Sequence, residues 1–192
     1  MEPVLQVALD HMHLKRALLA AKEAVEGGAD WLEAGTPLIK SEGMEVVREL
    51  KKSFPGRTIV ADLKTMDTGA FEVEIAAKAG ADVVTVMGVT DDATILEAVK
   101  AARRYGAKVM VDLMRVSDKA ARAKELEKLG VDYLNLHVSI DEQMIAHTNG
   151  VGHRSQSRVH RADAREDARV DDVQVVELVR LAVDVQRRLG GV

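Results

Sequence analysis

The stretch that decides the fold covers residues 59–69 and reads Ile-Val-Ala-Asp-Leu-Lys-Thr-Met-Asp-Thr-Gly. It begins as a short apolar run and ends in three charged side chains. Successive side chains of a strand alternate between its two faces, so Asp62 and Lys64 point the same way while Leu63 points the other. Asp67 follows in the turn, and Gly69 gives the backbone freedom before the next helical run. An ordinary surface ion pair is the alternative, but three charges on one strand-to-helix turn favour a functional site.

Strand-like apolar runs recur roughly every 25 residues, and each is followed by an amphipathic helical run. The predicted strands besides the central one lie at residues 4–10, 31–35, 82–88, 108–114 and 133–137. Ser41 and Ser117 are predicted to cap two of the helices. Repeated strand–helix units with buried-type strands predict a parallel sheet, and therefore an α/β protein.

Polar side chains collect where the predicted strands end. They are Asp10, Glu33, Asp62, Lys64, Asp112 and His137. A (β/α)8 barrel of the TIM type builds its active site from the carboxyl ends of its strands, so this fold class explains the pattern. About six of its eight βα units can be traced, which predicts an incomplete barrel. A doubly wound sheet is the alternative, because its ligands also lie at the carboxyl ends of strands, but no Gly-rich dinucleotide loop supports it.

The composition narrows the class of protein. The chain has 192 residues, a formal net charge of −4 and 47% hydrophobic residues, which suits a globular protein and argues against nucleic-acid binding. It contains no cysteine, which excludes disulfides and thiolate metal sites. No apolar run is long enough to span a bilayer, and the N-terminus has no signal-like pattern. We therefore expect no membrane contact and a cytoplasmic location.

The chain changes character after the sixth unit. We predict that residues 1–147 form the βα-barrel domain and that residues 148–192 form a divergent, Arg-rich tail. Lysine is common up to Lys128 and then disappears, while arginine becomes frequent. A nucleic-acid-binding arm is a less favoured interpretation of this tail, because no aromatic residue interleaves with the arginines.

The tail itself is predicted to contain two segments. Residues 148–172 show neither the strand nor the helix period and are predicted to be a loop or disordered. Residues 173–189 are predicted to form a helix, since Val176, Val179 and Val183 are spaced for one helical face. An incomplete barrel would expose two parallel sheet edges, which is costly unless they are covered or paired.

Seven short motifs and His137 together carry a family signature. The motifs lie at residues 5–10 (LQVALD), 33–40 (EAGTPLIK), 61–69 (ADLKTMDTG), 80–82 (GAD), 84–88 (VTVMG), 111–113 (VDL) and 140–143 (IDEQ). They closely resemble the 3-hexulose-6-phosphate synthases, and the Asp-x-Lys-x-x-Asp pattern within them resembles the wider orotidine 5'-monophosphate decarboxylase suprafamily. The resemblance covers residues 2–145 and supports the barrel fold.

The resemblance implies an aldol addition of formaldehyde to D-ribulose 5-phosphate, giving 3-hexulose 6-phosphate through an ene-diolate with Mg2+ as cofactor. Glu33 and Asp62 would be the metal ligands, since Mg2+ prefers hard oxygen donors and completes its shell with water and substrate oxygens. The alternative is that Glu33 pairs with Lys64 and no metal binds.

The same resemblance assigns roles to four further side chains. His137 would transfer a proton near neutral pH, and Lys64 would stabilise developing negative charge. Asp10 would orient Lys64 or a substrate hydroxyl. In the family, Asp67 reaches across a dimer interface into the partner's site, which implies a homodimer.

The sequence also departs from the family. Arg115 stands where a small residue is usual, Ser139 replaces a glycine, and the glycine-containing phosphate loops that follow the seventh and eighth strands are not found. Weak or absent activity is therefore expected, and a truncated or frameshifted fragment without activity is one alternative. The other alternative is decarboxylation of 3-keto-L-gulonate 6-phosphate on the same scaffold.

Overall fold

The computed structural model of the protein describes residues 4–148 and 173–180, with side chains through residue 145. Six parallel strands follow one another in chain order around a barrel. They are β1 (Leu5–Leu9), β2 (Trp31–Ala34), β3 (Thr58–Thr65), β4 (Val83–Met87), β5 (Lys108–Asp112) and β6 (Tyr133–Asn135). The predicted parallel sheet and incomplete (β/α)8 barrel are confirmed.

Helices follow the strands and pack on the outside of the sheet. They are α1 (Leu14–Glu26), α2 (Thr36–Glu42), α3 (Glu45–Ser53), α4 (Gly69–Ala79), α5 (Asp92–Tyr105), α6 (Lys119–Leu129) and α7 (Ile140–Thr148). Within the described ranges, no helix is both long and apolar enough to cross a membrane.

Strand side chains alternate between two cores. Those facing outward, such as Leu9, Leu32 and Ile59, are fully buried against the helices. Those facing inward form a smaller cluster, Val60, Val83, Met110 and Tyr133, with Trp31 packed against it. Each fully buried large apolar side chain contributes about 1.5–3 kcal/mol of burial free energy. This apolar inner cluster fills the barrel towards the amino ends of the strands. The polar side chains at the strand ends therefore meet at the opposite, carboxyl mouth.

A seventh strand, β7 (Val173–Arg180), closes the sheet. It runs antiparallel to both of its neighbours, β1 and β6. The helix predicted at 173–189 is therefore wrong for this stretch, and residues 181–189 lie outside the described residues. The segment reads VQVVELVR, and its β-branched residues favour a strand wherever open edges offer pairing partners. Both edges left open by six units are thus paired.

The structure does not test two other predictions about the tail. The loop or disordered segment predicted at 148–172 lies outside the described residues, except for Thr148, which ends α7. The division of the chain at residues 147 and 148 stays a prediction.

Two predicted helix caps were wrong. Ser41 lies inside α2, a helix that the sequence reading missed, and its hydroxyl donates to the Met12 carbonyl at 2.7 Å. Asp118 caps α6 in place of Ser117, because its carboxylate accepts the Ala121 N–H at 2.9 Å. The two errors concern only where helices begin, and they do not affect the predicted order of the strands.

Three strands are each preceded directly by an aspartate, which itself follows a Gly-Ala or Gly-Val pair. Each of these carboxylates accepts a backbone N–H from an adjacent strand. The pairs are Asp30 with Leu5 at 2.9 Å, Asp82 with Ile59 at 2.7 Å and Asp132 with Val109 at 3.0 Å. The aspartates thereby fix the amino ends of neighbouring strands in register.

Asp82→Ala is expected to lower the free energy of unfolding by about 1–3 kcal/mol. The substitution removes the acceptor for the Ile59 N–H and the partner of the Lys51 ammonium, whose Nζ lies 2.7 Å from Oδ2 of Asp82. Urea unfolding measures the change. Glu26→Ala is the matched control, since that exposed carboxylate pairs with Lys22 within α1 at 3.8 Å and its loss should change stability by under about 0.5 kcal/mol. Equal effects of the two substitutions would contradict the role of Asp82.

Candidate active site

Lys64 lies at the centre of a charged network at the carboxyl mouth of the barrel. Its Nζ is 2.8 Å from Oδ2 of Asp62 and 3.4 Å from Oδ2 of Asp112. Asp62 and Lys64, which the sequence placed side by side at the end of β3, are therefore in direct contact. The ammonium bridges the ends of β3 and β5, two strands that β4 separates.

The backbone of β3 is distorted where it presents Lys64. The pairing of β3 with β4 shifts register between Ala61 and Thr65, and Lys64 has φ of 49° in the left-handed region. The Lys64 N–H donates to Oγ1 of Thr85 at 3.1 Å, which holds this conformation in place. Left-handed backbone at a residue other than glycine costs free energy and concentrates at functional sites, where it re-aims a side chain.

Asp62 is buried and almost completely hydrogen-bonded. Besides Lys64, its carboxylate accepts from Oγ1 of Thr36 at 2.7 Å and from Oγ1 of Thr85 at 2.6 Å. These hydroxyls come from α2 and β4, on either side of β3, and fix the carboxylate orientation. Sequence reasoning missed both threonines; the only available signal was that Thr36 follows the Glu-Ala-Gly motif and that Thr85 faces inward on β4.

Asp112 and His137 form the second half of the network. Oδ2 of the fully buried Asp112 lies 2.7 Å from Nδ1 of His137, and its Oδ1 accepts the Met114 N–H at 2.7 Å. Burial alone would raise the pKa of Asp112, but the hydrogen bond and charge of His137, the Met114 N–H and Lys64 together lower it. An ionised Asp112 must accept from Nδ1–H, which leaves Nε2 of neutral His137 as the free base.

Lys64 is held in its charged form by its neighbours. Burial would lower the pKa of its ammonium, but Asp62, Asp112 and Glu33 outweigh burial and raise it. The network therefore presents a fixed positive charge at neutral pH, ready to stabilise negative charge that develops on a bound substrate.

Glu33 is buried inside the barrel on β2, where it pairs in register with Val60, below the level of Asp62. Gln6 donates a hydrogen bond from Nε2 to its carboxylate, whereas the hydrogen bonds of Lys64 go to Asp62 and Asp112. Among the described contacts, the alternative of a direct Glu33–Lys64 pair is therefore not seen. Burial, followed by the charges of Asp62 and Asp10, raises the pKa of Glu33 to about 8.

Asp10 completes the acidic side of the mouth. Burial and then the charge of Asp62 raise the pKa of its carboxyl. The carboxylate packs so closely on Gly35 that a Cβ there would lie 2.0 Å from Oδ1 of Asp10. Within the part of the chain that has described side chains, Asp10 acts on Lys64 through charge and shares no hydrogen bond with it.

Asp67 stands apart from the other predicted residues. Its side chain is exposed, and its Oδ1 accepts the Thr68 N–H at 2.6 Å. It lines a surface cavity of about 330 Å³ together with Phe71 and Thr94, on the outside of the barrel between α4 and α5. Within this one chain it does not join the network, and its predicted contact with a partner's site stays a prediction.

Comparison with known proteins shows the family to which the chain belongs. The chain matches the model of the orotidine 5'-phosphate decarboxylase / HUMPS family over residues 3–190. It belongs to that family. The family match extends beyond Ile145, where the motifs that carried the resemblance end.

Relatives within the decarboxylase / HUMPS family include named synthases. The chain is 46% identical to 3-hexulose-6-phosphate synthase of Bacillus subtilis over 139 residues, covering 72% of the chain and 66% of the relative. It is 48% identical to the synthase of Mycobacterium gastri over 139 residues, covering 72% and 67%. The predicted resemblance to these synthases is thus confirmed, and the chain spans about two thirds of the length of these relatives.

Solved structures of the family have the same fold. A crystal structure of 3-hexulose-6-phosphate synthase, 48% identical, superposes with a TM-score of 0.70 over 72% of this chain and 66% of that one. The 3-keto-L-gulonate-6-phosphate decarboxylase of Vibrio cholerae, 31% identical, gives a TM-score of 0.71 over 81% and 70%.

The two residues that depart from the family pattern follow Asp112 by three positions and His137 by two positions in the chain. Arg115 has φ of 64°, is exposed, and approaches Glu142 of α7 at 3.9 Å. Ser139 precedes α7, and its Oγ accepts the Glu142 N–H at 3.4 Å. The serine therefore serves as a helix cap, a role that a glycine side chain lacks.

The donor set fits a hard divalent cation. In the described ranges, no group of three or more His, Asp or Glu side chains converges as a complete metal site. Glu33 and Asp62 are nevertheless oxygen donors on adjacent strands. Burial first, and then the negative charges of Asp62 and Asp10, raise the pKa of Glu33, and a cation would offset those charges. Mg2+ commonly keeps several water or substrate ligands beside one or two carboxylates, which matches this pair. The Mg2+ site stays a prediction.

Proposed function

We propose that the chain is an aldehyde-lyase of the 3-hexulose-6-phosphate synthase type, which adds formaldehyde to D-ribulose 5-phosphate. The observation that carries the proposal is the network in which Lys64 bridges Asp62 and Asp112 while Asp112 fixes His137. The 46–48% identity to named synthases supports the assignment of this network to that chemistry.

The reaction needs one proton to leave carbon and one to reach oxygen. A base removes a proton from C1 of ribulose 5-phosphate, next to the C2 ketone, and the electron pair gives an ene-diolate. C1 then bonds to the carbon of formaldehyde, whose carbonyl oxygen takes up a proton. The product is a six-carbon 3-ketose that keeps its phosphate.

His137 is suited to move both protons. Its Nδ1 is bound to Asp112, so the unprotonated Nε2 can accept the C1 proton and return it to the new hydroxyl. Asp112 stabilises the imidazolium form between these two events, since its lowered pKa keeps the carboxylate ionised.

Lys64 and the carboxylates prepare the place where negative charge develops. The ammonium, fixed by Asp62 and Asp112, would lie beside the ene-diolate oxygens and stabilise them without reorganising. Asp10 would accept a substrate hydroxyl. Glu33 and Asp62 would hold Mg2+, which when bound would polarise the ketone as a Lewis acid.

The substrate class and the assembly belong to the same proposal. A decarboxylase of the family from Streptococcus mutans, 30% identical with a TM-score of 0.68, was crystallised in complex with a pentose 5-phosphate. That relative supports a phosphorylated substrate for this chain. We further propose a homodimer in which Asp67, exposed on the barrel's outer surface, reaches the partner's site.

Formaldehyde-dependent loss of ribulose 5-phosphate in the presence of Mg2+ tests the proposed function. Decarboxylation of 3-keto-L-gulonate 6-phosphate is the second candidate, favoured by the TM-score of 0.71 to the Vibrio decarboxylase. Product formation that needs formaldehyde supports the synthase; release of CO2 from the keto-gulonate phosphate with no formaldehyde reaction supports the decarboxylase. Neither reaction, with a folded chain, supports the inactive fragment.

Turnover is expected to be weak, well below the rate of about 10 per second that is typical of enzymes. Phosphate binding supplies much of the energy used at the reacting centre, and β7 runs antiparallel where the family's seventh strand and its loop are expected. Steady-state kinetics with Mg2+ measures this, and a typical rate would contradict the prediction.

Asp112→Asn is expected to lower kcat by about 100-fold. The neutral amide no longer stabilises imidazolium, and it can donate to Nδ1 and so place the proton of His137 on Nε2. Asp118→Asn is the matched control, because asparagine also caps helices and Asp118 is remote from the network. A similar kcat in both variants would contradict the role of Asp112.

A further inference from the structure

A second concavity opens at the amino end of the barrel, opposite the charged network. Its volume is about 410 Å³, within the range of small-molecule sites. Trp31, Arg57, Lys108 and Tyr133 line it, together with Lys51 and Asp82. Along β5, Lys108 begins the strand and Asp112 ends it, which separates the two mouths by roughly 13 Å.

The charge of this amino-end cavity is unbalanced. Lys51 is neutralised by Asp82, with Nζ at 2.7 Å and 2.8 Å from its two carboxylate oxygens. Arg57 is half-buried, and Lys108 is exposed. Among the described residues, neither of these two cations forms an ion pair with a carboxylate. Two positive charges therefore remain for an anion that enters the cavity.

Aromatic rings form the inner wall. Trp31 and Tyr133 meet edge to face with centroids 5.2 Å apart. Nζ of Lys108 lies 5.4 Å from the centre of the Tyr133 ring and donates to its hydroxyl at 3.1 Å. The tyrosine thus positions the ammonium at the edge of a wall that offers apolar contact to a ligand.

Lys108 breaks the pattern of the other strand starts. In the Gly-Ala-x or Gly-Val-x triplets that precede β2, β4 and β6, the third residue is Asp30, Asp82 or Asp132, and each fixes a neighbouring strand. The triplet at β5 reads Gly-Ala-Lys. Its cation faces a phenol in the cavity and fixes no backbone N–H, so the strand-register role does not explain it.

We infer that the amino-end cavity is a binding site for a small phosphate monoester, with the phosphate between Arg57 and Lys108 and the organic part against Trp31. A guanidinium binds phosphate oxygens in bidentate fashion, and an ammonium adds a point charge. The site is separate from the proposed active site, so ligand bound there would leave the carboxyl mouth free.

Trp31 is the only tryptophan of the chain, so the tryptophan fluorescence of the protein comes from this site alone. The full-length protein is titrated with inorganic phosphate and with glycerol 3-phosphate at constant ionic strength, and the Trp31 emission is recorded. We expect a saturable change with both probes, and tighter binding of the monoester. Lys64→Ala should leave the titration unchanged, which separates this site from the proposed active site.

Arg57→Gln and Lys108→Gln should each weaken binding about tenfold or more, since each removes a charge-assisted hydrogen bond. Lys52→Gln, an exposed lysine of α3 that pairs with Glu49, is the matched control and should change the affinity by less than about twofold. No saturable change in the parent, or equal affinities in Arg57→Gln and Lys52→Gln, would overturn the inference. Loss of the signal in a Lys64→Ala variant that thermal unfolding shows to be folded would also overturn it, because the ligand would then belong to the carboxyl mouth.

Discussion

Lys64→Ala is expected to lower kcat/KM for the formaldehyde reaction by about 1000-fold or more. The ammonium is the one positive charge between Asp62 and Asp112 in the described network, at 2.8 and 3.4 Å from their oxygens. Without it, the developing ene-diolate would form beside two buried carboxylates and would be repelled by both. The loss should appear mainly in kcat, because the interaction strengthens in the transition state.

Loss of a buried partner also lowers stability, so the Lys64 experiment needs two controls. Lys64→Gln keeps a hydrogen-bond donor for Asp62 and reduces the cost of leaving the carboxylates unpaired. Trp31 emission and thermal unfolding verify that each variant folds. Lys52→Ala, on the exposed face of α3, should keep the parent's kcat/KM. If folded Lys64→Gln retained parental activity, Lys64 would have no electrostatic role.

Glu33→Gln is expected to remove a large pH dependence of stability. The pKa of Glu33 is raised from 4.5 to about 8 in the folded protein, chiefly by burial and then by Asp62 and Asp10. Between these two values the folded chain binds more protons than the unfolded chain, so this group makes stability fall as pH rises. The loss reaches as much as about 4 kcal/mol by pH 8. Neutral glutamine does not titrate, so the difference between the two stability curves isolates Glu33.

The same stability measurements, repeated with Mg2+, test the proposed metal ligand. Bound at Glu33 and Asp62, the cation would favour the ionised carboxylate and stabilise the parent more at pH 8 than at pH 6. Glu33→Gln should show little stabilisation by Mg2+ at either pH. Glu26→Gln, at an exposed position at the end of α1, is the control and should follow the parent throughout. Parallel curves for the parent and Glu33→Gln would contradict both the raised pKa and the proposed metal ligand.

The sequence predicted the barrel and most of the network because both depend on local pattern. The sequence placed Asp62 and Lys64 together at the carboxyl end of β3, although a register shift and the left-handed backbone of Lys64, and not regular alternation, bring their side chains into contact. Parallel strands brought Asp112 and His137 to the same mouth. Glu33 and Asp10 also lie there. Strand order follows from repeated βα units, which short connections leave few ways to arrange.

What the sequence did not predict depends on contacts between distant elements. Thr36 and Thr85 bind the Asp62 carboxylate, yet hydroxyls on a helix and on an inward-facing strand position carry no distinctive local signal. The strand at residues 173–180 has a valine spacing that also suits a helix, and its pairing with β1 and β6 decides the outcome. In such a segment, pairing with an open sheet edge decides the secondary structure more strongly than the local helix propensity does.

Exchange of the C1 proton of ribulose 5-phosphate with deuterated solvent tests the central claim most directly. Proton NMR follows the C1 signal with Mg2+ present and formaldehyde omitted, so only the deprotonation step is observed. The parent chain is predicted to exchange this proton faster than buffer alone, and Lys64→Ala is predicted to match buffer. Exchange by the parent that is no faster than buffer, or equally fast in Lys64→Ala, would contradict the assignment of the Asp62–Lys64–Asp112–His137 network to this chemistry.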